Sequence, residues 1–126
     1  MRRNVFATLL CALFLGAVNQ ASETLHFSLV RAVPAQDQTL EAAPVRLQLW
    51  FSQAPAAAVS QITLKRGTAD VALGKTVVIS KDKSLYADPA KPLEAGAYTL
   101  TWRAAGDDGH VMSGDVKFSI VPKTPR

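Results

Sequence analysis

Residues 93–103 read Leu93-Glu94-Ala95-Gly96-Ala97-Tyr98-Thr99-Leu100-Thr101-Trp102-Arg103, and this stretch decides the fold class. From Tyr98 onward the apolar residues Tyr98, Leu100 and Trp102 alternate with Thr99, Thr101 and Arg103. Period two in an extended chain puts one set inside and the other in water, the pattern of a strand with one buried face. A tyrosine at the mouth of a late strand can also return its hydroxyl to the backbone just upstream, the tyrosine-corner arrangement. The same alternation recurs on both sides of this stretch. It runs through Leu25, Phe27 and Leu29, through Val45, Leu47, Leu49 and Phe51, through Ile62 and Leu64, and through Val116, Phe118 and Ile120. Thr76–Ser80 and Ser84–Ala87 read as shorter strands. Turn chemistry separates them: the polar stretch Pro34–Thr39, then Gly67, Gly74, Asp82, Pro89 and Pro92. Gln53–Ser60 is alanine-rich and has room for one helical turn, limited by Pro55. No segment carries a long helical period. The expected fold is all-β, an immunoglobulin-like Greek-key β-sandwich of about seven strands.

The amino-terminal end follows a different rule. Arg2-Arg3 precedes an apolar run over residues 5–18. A membrane-crossing helix wants about 20 apolar residues, so this shorter run reads as the core of a secretory signal peptide. Ala21 is a suitable residue before the cut. The expected organisation is a signal peptide at 1–21 and one sandwich domain at 22–126. Loss of Arg2 and Arg3 lowers the formal net charge from +4 to +2. The remaining Lys and Arg are scattered, without the clustered positive charge that nucleic-acid binding needs. Cys11, the single cysteine, lies inside the signal. Thr8-Leu9-Leu10-Cys11 lacks the small residue that a lipoprotein site places before its cysteine. A mature domain without thiols must fold on its core alone, and any metal it holds must be held by nitrogen and oxygen, with at most the Met112 thioether.

Few constellations remain for chemistry. No glycine-rich phosphate loop occurs. Ser113 lies near His110 and Asp108 but has no nucleophile elbow around it. Asp107 and Asp108 are adjacent, so in an extended chain their carboxylates point apart, which is poor for glycoside hydrolysis. The two histidines, His26 and His110, are more informative. His110 closes Gly106-Asp107-Asp108-Gly109-His110, between two strands. In an extended Asp-x-His segment the side chains two apart face the same way, so Asp108 and His110 can aim a carboxylate and an imidazole at one point. Gly109 keeps the space between them clear. A sandwich can bring the first strand, with His26, beside a late one. Two exposed histidines and an Asp-Asp-Gly turn are also ordinary surface features, and the residues alone leave both readings open.

Several segments together resemble the CopC-like periplasmic copper-binding proteins. They are His26-Phe-Ser-Leu-Val-Arg-Ala-Val-Pro34-Ala, Ala43-Pro44-Val-Arg-Leu-Gln-Leu-Trp-Phe51-Ser52, the block 93–103 above, Asp108-Gly-His110 and Ser113-Gly-Asp-Val-Lys-Phe118. The resemblance covers nearly the whole mature chain. It implies a Cu(II) site on His26, Asp108 and His110, imidazole and carboxylate donors that suit this ion. It implies a copper carrier or buffer in the periplasm, without catalysis, whose partners are the copper ion and an inner-membrane copper transporter of the CopD type; the oligomeric state stays open. Three positions depart from the family pattern. In many members the first histidine is itself the mature amino terminus, whereas a cut after Ala21 leaves His26 to bind through its ring. Gln53 stands where some members place an acid after Phe-Ser. Met112 is the only methionine of the mature chain, too little for a soft Cu(I) cage. Trp102 is expected in the core. Trp50, on the opposite face from Leu47 and Leu49, is either an exposed partner surface or covered by a loop. The rival readings are an interaction module with a degenerate metal site and, more remotely, a copper-dependent polysaccharide oxidase, which needs the amino-terminal histidine that the predicted cut denies.

Overall fold

The computed structural model describes residues 26–123. The expected signal peptide and Leu25 lie outside the described residues. The strands are β1 (Leu29–Val33), β2 (Gln38–Leu40), β3 (Leu47–Phe51), β4 (Gln61–Arg66), β5 (Ala69–Val71), β6 (Val77–Ile79), β7 (Ser84–Ala87), β8 (Gly96–Ala105) and β9 (Val111–Ile120). They form a four-stranded sheet in the order β1-β3-β7-β6 and a five-stranded sheet in the order β2-β9-β8-β4-β5. All pairings are antiparallel except β2 on β9, which is parallel. The expected all-β sandwich is therefore observed, with nine strands among the described residues where about seven were expected.

The alternation read from the sequence is what faces the two sheets together. Leu47, Leu49 and Phe51 of β3 and Leu85 and Ala87 of β7 meet Ile62 and Leu64 of β4, Tyr98, Leu100 and Trp102 of β8, and Val116, Phe118 and Ile120 of β9 in one buried core. Leu47, Leu49, Leu85 and Leu100 are fully buried. Burying each stabilises the fold by about 1.5–3 kcal/mol, the kind of contribution a domain without disulfides depends on. Tyr98 is buried, and its hydroxyl donates to the Glu94 carbonyl at 2.6 Å, so the expected corner is present. Trp102 packs in the core as expected, with Gly114 opposite it on β9. A Cβ on Gly114 would sit 2.8 Å from the indole, so only glycine leaves the ring its place.

Some expectations need correction. Val45 was expected inward, yet it is 86% exposed. The chain bends at Val45 and β3 begins only at Leu47, so the alternation runs two residues beyond the pairing that would give it meaning. The polar stretch after Pro34 is not merely a break: it holds β2, whose three residues pair with Phe118, Ser119 and Ile120. Polar groups dock it there, with Gln36 Oε1 accepting from Lys117 N at 3.0 Å and Asp37 N donating to Lys117 O at 2.6 Å. The alanine-rich stretch makes a turn at residues 57–59 and no helix. Trp50 is half-buried, and the Arg31 guanidinium of β1 lies over its ring, 4.6 Å from the centroid.

Candidate metal centre

β8 and β9 pair over ten residues each, from Gly96–Ile120 to Ala105–Val111, and this long hairpin carries residues 106–110 at its tip. The tip is a turn: Gly109 N donates to Gly106 O at 3.1 Å, and Gly109 adopts φ +73°. This corrects the extended geometry expected for Asp108-Gly109-His110. The two side chains meet because the chain turns back, not because they share a strand face. Gly109 is required for its left-handed backbone, since a Cβ there would touch nothing within 4 Å; the expected relief of crowding is not its role.

Asp108 gathers the donors of His110. Its Oδ1 accepts the His110 backbone N–H at 3.1 Å, and its Oδ2 lies 3.1 Å from His110 Nδ1. The backbone N–H first, and then the imidazole, hold the Asp108 carboxyl below the ordinary aspartate range. An ionised carboxylate only accepts, so the proton of a neutral His110 ring belongs on Nδ1. That leaves the Nε2 lone pair as the ring's donor to an outside ion, the tautomer that a carboxylate behind a ligating imidazole commonly selects. Both side chains are open to solvent, 85% exposed for His110 and 55% for Asp108.

His26 is the first described residue and is exposed. Its carbonyl accepts the Ser52 hydroxyl at 3.0 Å, the Ser28 N–H donates to Ser52 Oγ at 3.0 Å, and Ser52 N donates to Ser28 O at 2.9 Å. Between them, Phe27 is buried and stacks on Phe51, with centroids 4.7 Å apart and planes at 15°. Phe51 in turn meets Trp102 edge-on at 5.1 Å. Phe27 also lies against the hairpin tip, because a Cβ on Gly106 would fall 2.8 Å from its Cδ2. The His26 segment and the Asp108–His110 turn thus sit at the same end of the sandwich. Asp108 and His110 are in contact; His26 does not join them, and among the described residues no three His, Cys, Asp or Glu side chains form a group able to hold a metal.

Gln53, which stands where some members place an acid, is half-buried and already engaged: its Oε1 accepts from the Asp107 backbone N–H at 3.1 Å. Met112 is 45% exposed at the start of β9. The backbone bonds of Ser52 and the closeness of Phe27 to Gly106 were not foreseen. The one available signal was Gly106 itself, a glycine outside the turn's left-handed position, hence one kept for want of space.

Comparison with known proteins gives a consistent set of likenesses. The profile of the CopC domain matches residues 29–121. The Copper resistance protein C of Pseudomonas syringae pv. tomato is 30% identical over 127 residues, covering 95% of this chain and 98% of that protein. That of Escherichia coli is 30% identical over 114 residues, with 79% and 84% covered. Among solved structures, PcoC, a methionine-rich copper resistance protein from Escherichia coli, superposes with a TM-score of 0.69 at 31% identity, over 76% of this chain and 99% of that one. CopC from Methylosinus trichosporium OB3b superposes with a TM-score of 0.69 at 26% identity, over 80% and 99%.

Proposed function

The chain belongs to the CopC domain family, and from that premise we propose that it is a periplasmic Cu(II)-binding protein that carries or buffers the ion without catalysis. The observation that carries this reading is the Asp108–His110 pair, a carboxylate held ionised against a ring whose Nε2 is left for an ion. The proposed ligands are the rings of His26 and His110 with the Asp108 carboxylate, which faces Nδ1 of His110 in the metal-free chain and must turn from it to reach an ion on Nε2. Such a nitrogen and oxygen set suits Cu(II) better than Cu(I), and the lone thioether of Met112 adds no soft cage. In this reading the exported domain is 22–126, released from a signal peptide cut after Ala21, so His26 binds through its ring and not through a terminal amine. Copper is cargo, and an inner-membrane copper transporter of the CopD type is the proposed receiver. The exposure of the pair supports transfer, because a partner's donor can reach an ion held there.

Titration of the mature protein with Cu(II), beside His110→Ala, tests the reading. One equivalent bound by the wild type and lost in the variant is the expected result. Imidazole must be neutral to ligate, so affinity should fall between about pH 7.5 and about pH 5, across the range in which histidines take up protons. Equal affinity at both, or binding indifferent to His110→Ala, overturns it. The second reading, an interaction module with a degenerate site, draws on the separation of His26 from the pair and on the engagement of the Gln53 oxygen with Asp107; weak binding unaffected by His110→Ala is its signature. Mass spectrometry of the exported chain checks the start: Ser22 agrees with ring-only binding, and His26 at the terminus replaces it with a brace.

A further inference from the structure

Three consecutive residues at the end of β3 hold both histidine-bearing segments. Phe51 takes the ring of Phe27 in a 4.7 Å stack. Ser52 takes the backbone on either side of that phenylalanine, through His26 O and Ser28 N. Gln53 reaches the other way, to the Asp107 N–H at 3.1 Å. The next stretch continues the seam, with Ala56 N donating to Ala105 O at 2.8 Å. Gly106 lies in the middle of this junction: a Cβ there would stand 2.6 Å from Gln53 Oε1 and 2.8 Å from the Phe27 ring. The hairpin tip otherwise closes on itself through the Gly109–Gly106 bond and the contacts of Asp108 with His110.

We propose that Phe51-Ser52-Gln53 is a clasp that sets the separation of His26 from the Asp108–His110 turn, with Gln53 the positioning residue for the turn. Its functional consequence rests on the copper reading above. A chelate of two imidazoles from segments far apart in sequence needs both held in register, because each ångström of slack is entropy to be lost when the ion binds. Ser52 holds one segment and Gln53 the other, one residue apart on a strand end whose core neighbours are fixed. Gln53 therefore serves the ion without touching it. The side-chain carbonyl suffices for that role, since the partner is a backbone N–H and asks for an acceptor, not a charge.

Gln53→Met keeps the length of the side chain and removes the acceptor; Gln53→Glu keeps an acceptor oxygen. In the metal-free mature protein, Gln53→Met should speed hydrogen exchange of the Asp107 amide about tenfold or more, the loss of one protecting bond, and Gln53→Glu should restore protection. In the same variant Cu(II) binding should weaken by about 10- to 100-fold, as for other partners that orient a ligand. Pulsed electron paramagnetic resonance should count one coupled imidazole where the wild type has two. The melting transition followed by Trp102 should move little. Unchanged exchange at Asp107 in Gln53→Met overturns the clasp, and so does Cu(II) held by both imidazoles at wild-type affinity. A wild type that binds no Cu(II) through imidazole sinks the copper reading instead, while the exchange of the metal-free chain still decides the clasp.

Discussion

Gly106→Ala should loosen the fold and the metal end together. The residue is buried, and the added methyl would lie 2.6 Å from Gln53 Oε1, 2.8 Å from Phe27 Cδ2 and 3.2 Å from Phe27 Cβ, where ordinary contact is 3.4–4 Å. The Gln53 amide can swing away, at the expense of its bond to Asp107 N. Phe27 has less freedom, being stacked on Phe51 and buried under the sandwich. Forcing a methyl into a packed site costs about 1–3 kcal/mol. The φ of Gly106 is not left-handed, so alanine also gains about 0.4–1 kcal/mol from a less flexible unfolded chain. The net loss is about 1.3 kcal/mol, the difference between the midpoints of these terms. For a domain of this size each kcal/mol lowers the melting temperature by about 4–8 °C. Thermal unfolding followed by circular dichroism measures it, with Asp107 amide exchange as the local readout. A melting temperature equal to or above that of the wild type would refute the packing argument.

Tyr98→Phe removes the hydroxyl that reaches Glu94 O at 2.6 Å from a buried ring; it should cost about 0.5–1.5 kcal/mol, seen as a lower urea midpoint with unchanged slope, and an unchanged midpoint would argue that the corner contributes nothing. Gly109→Ala meets open space but must hold φ +73°, so it should cost about 1–2 kcal/mol of backbone strain; Gly109→Asn should cost less, and equal losses for the two would point to a steric cause instead. Asp108 is held below the ordinary aspartate range, first by the His110 backbone N–H. Its contribution to the turn is full above that range and disappears only as pH falls through the lowered value. A carboxyl-carbon titration should show a midpoint below that of an exposed aspartate, and one at or above it would contradict the hydrogen bonds.

The parts of the fold that were legible in advance are those with one dry face. β3, β4, β8 and β9 alternate because every second side chain enters the core, and Tyr98 and Trp102 were placed correctly on that ground. β2 and β5 were not legible: each has three residues, mostly exposed, and is held by backbone pairing and polar docking that leave no apolar period. Val45 shows the converse, a periodic residue past the end of pairing. At the metal end, the meeting of Asp108 and His110 was legible because it is local, although by a turn and not by a strand face. The place of His26 was not, because its carbonyl and the N–H of Ser28 hold it there, and backbone groups are the same in every sequence.

The energetics of the core and of the metal end are separable, and the clasp is where they meet. The core closes without any contribution from His26, Asp108 or His110, which are all exposed. A metal whose loss unfolds its protein is enclosed by ligands that lack other support; here the turn already has its own hydrogen bonds and the strands their own packing. In the proposed copper reading, binding energy at such a site is free to be given up to another donor without loss of the fold. Yet the proposed ligand segments are not loose appendages, since Phe27 enters the core beside His26 and Gly106 is buried two residues before Asp108. Of the proposed ligands, His26 is one residue from a buried anchor, Asp108 two and His110 four. That spacing is short enough to inherit the position of the sandwich and long enough to leave the donor atoms in water. A substitution in the core that leaves Phe27, Phe51 and Gly106 in place should consequently change stability more than metal affinity, and one at Phe27, Phe51 or Gly106 should change both.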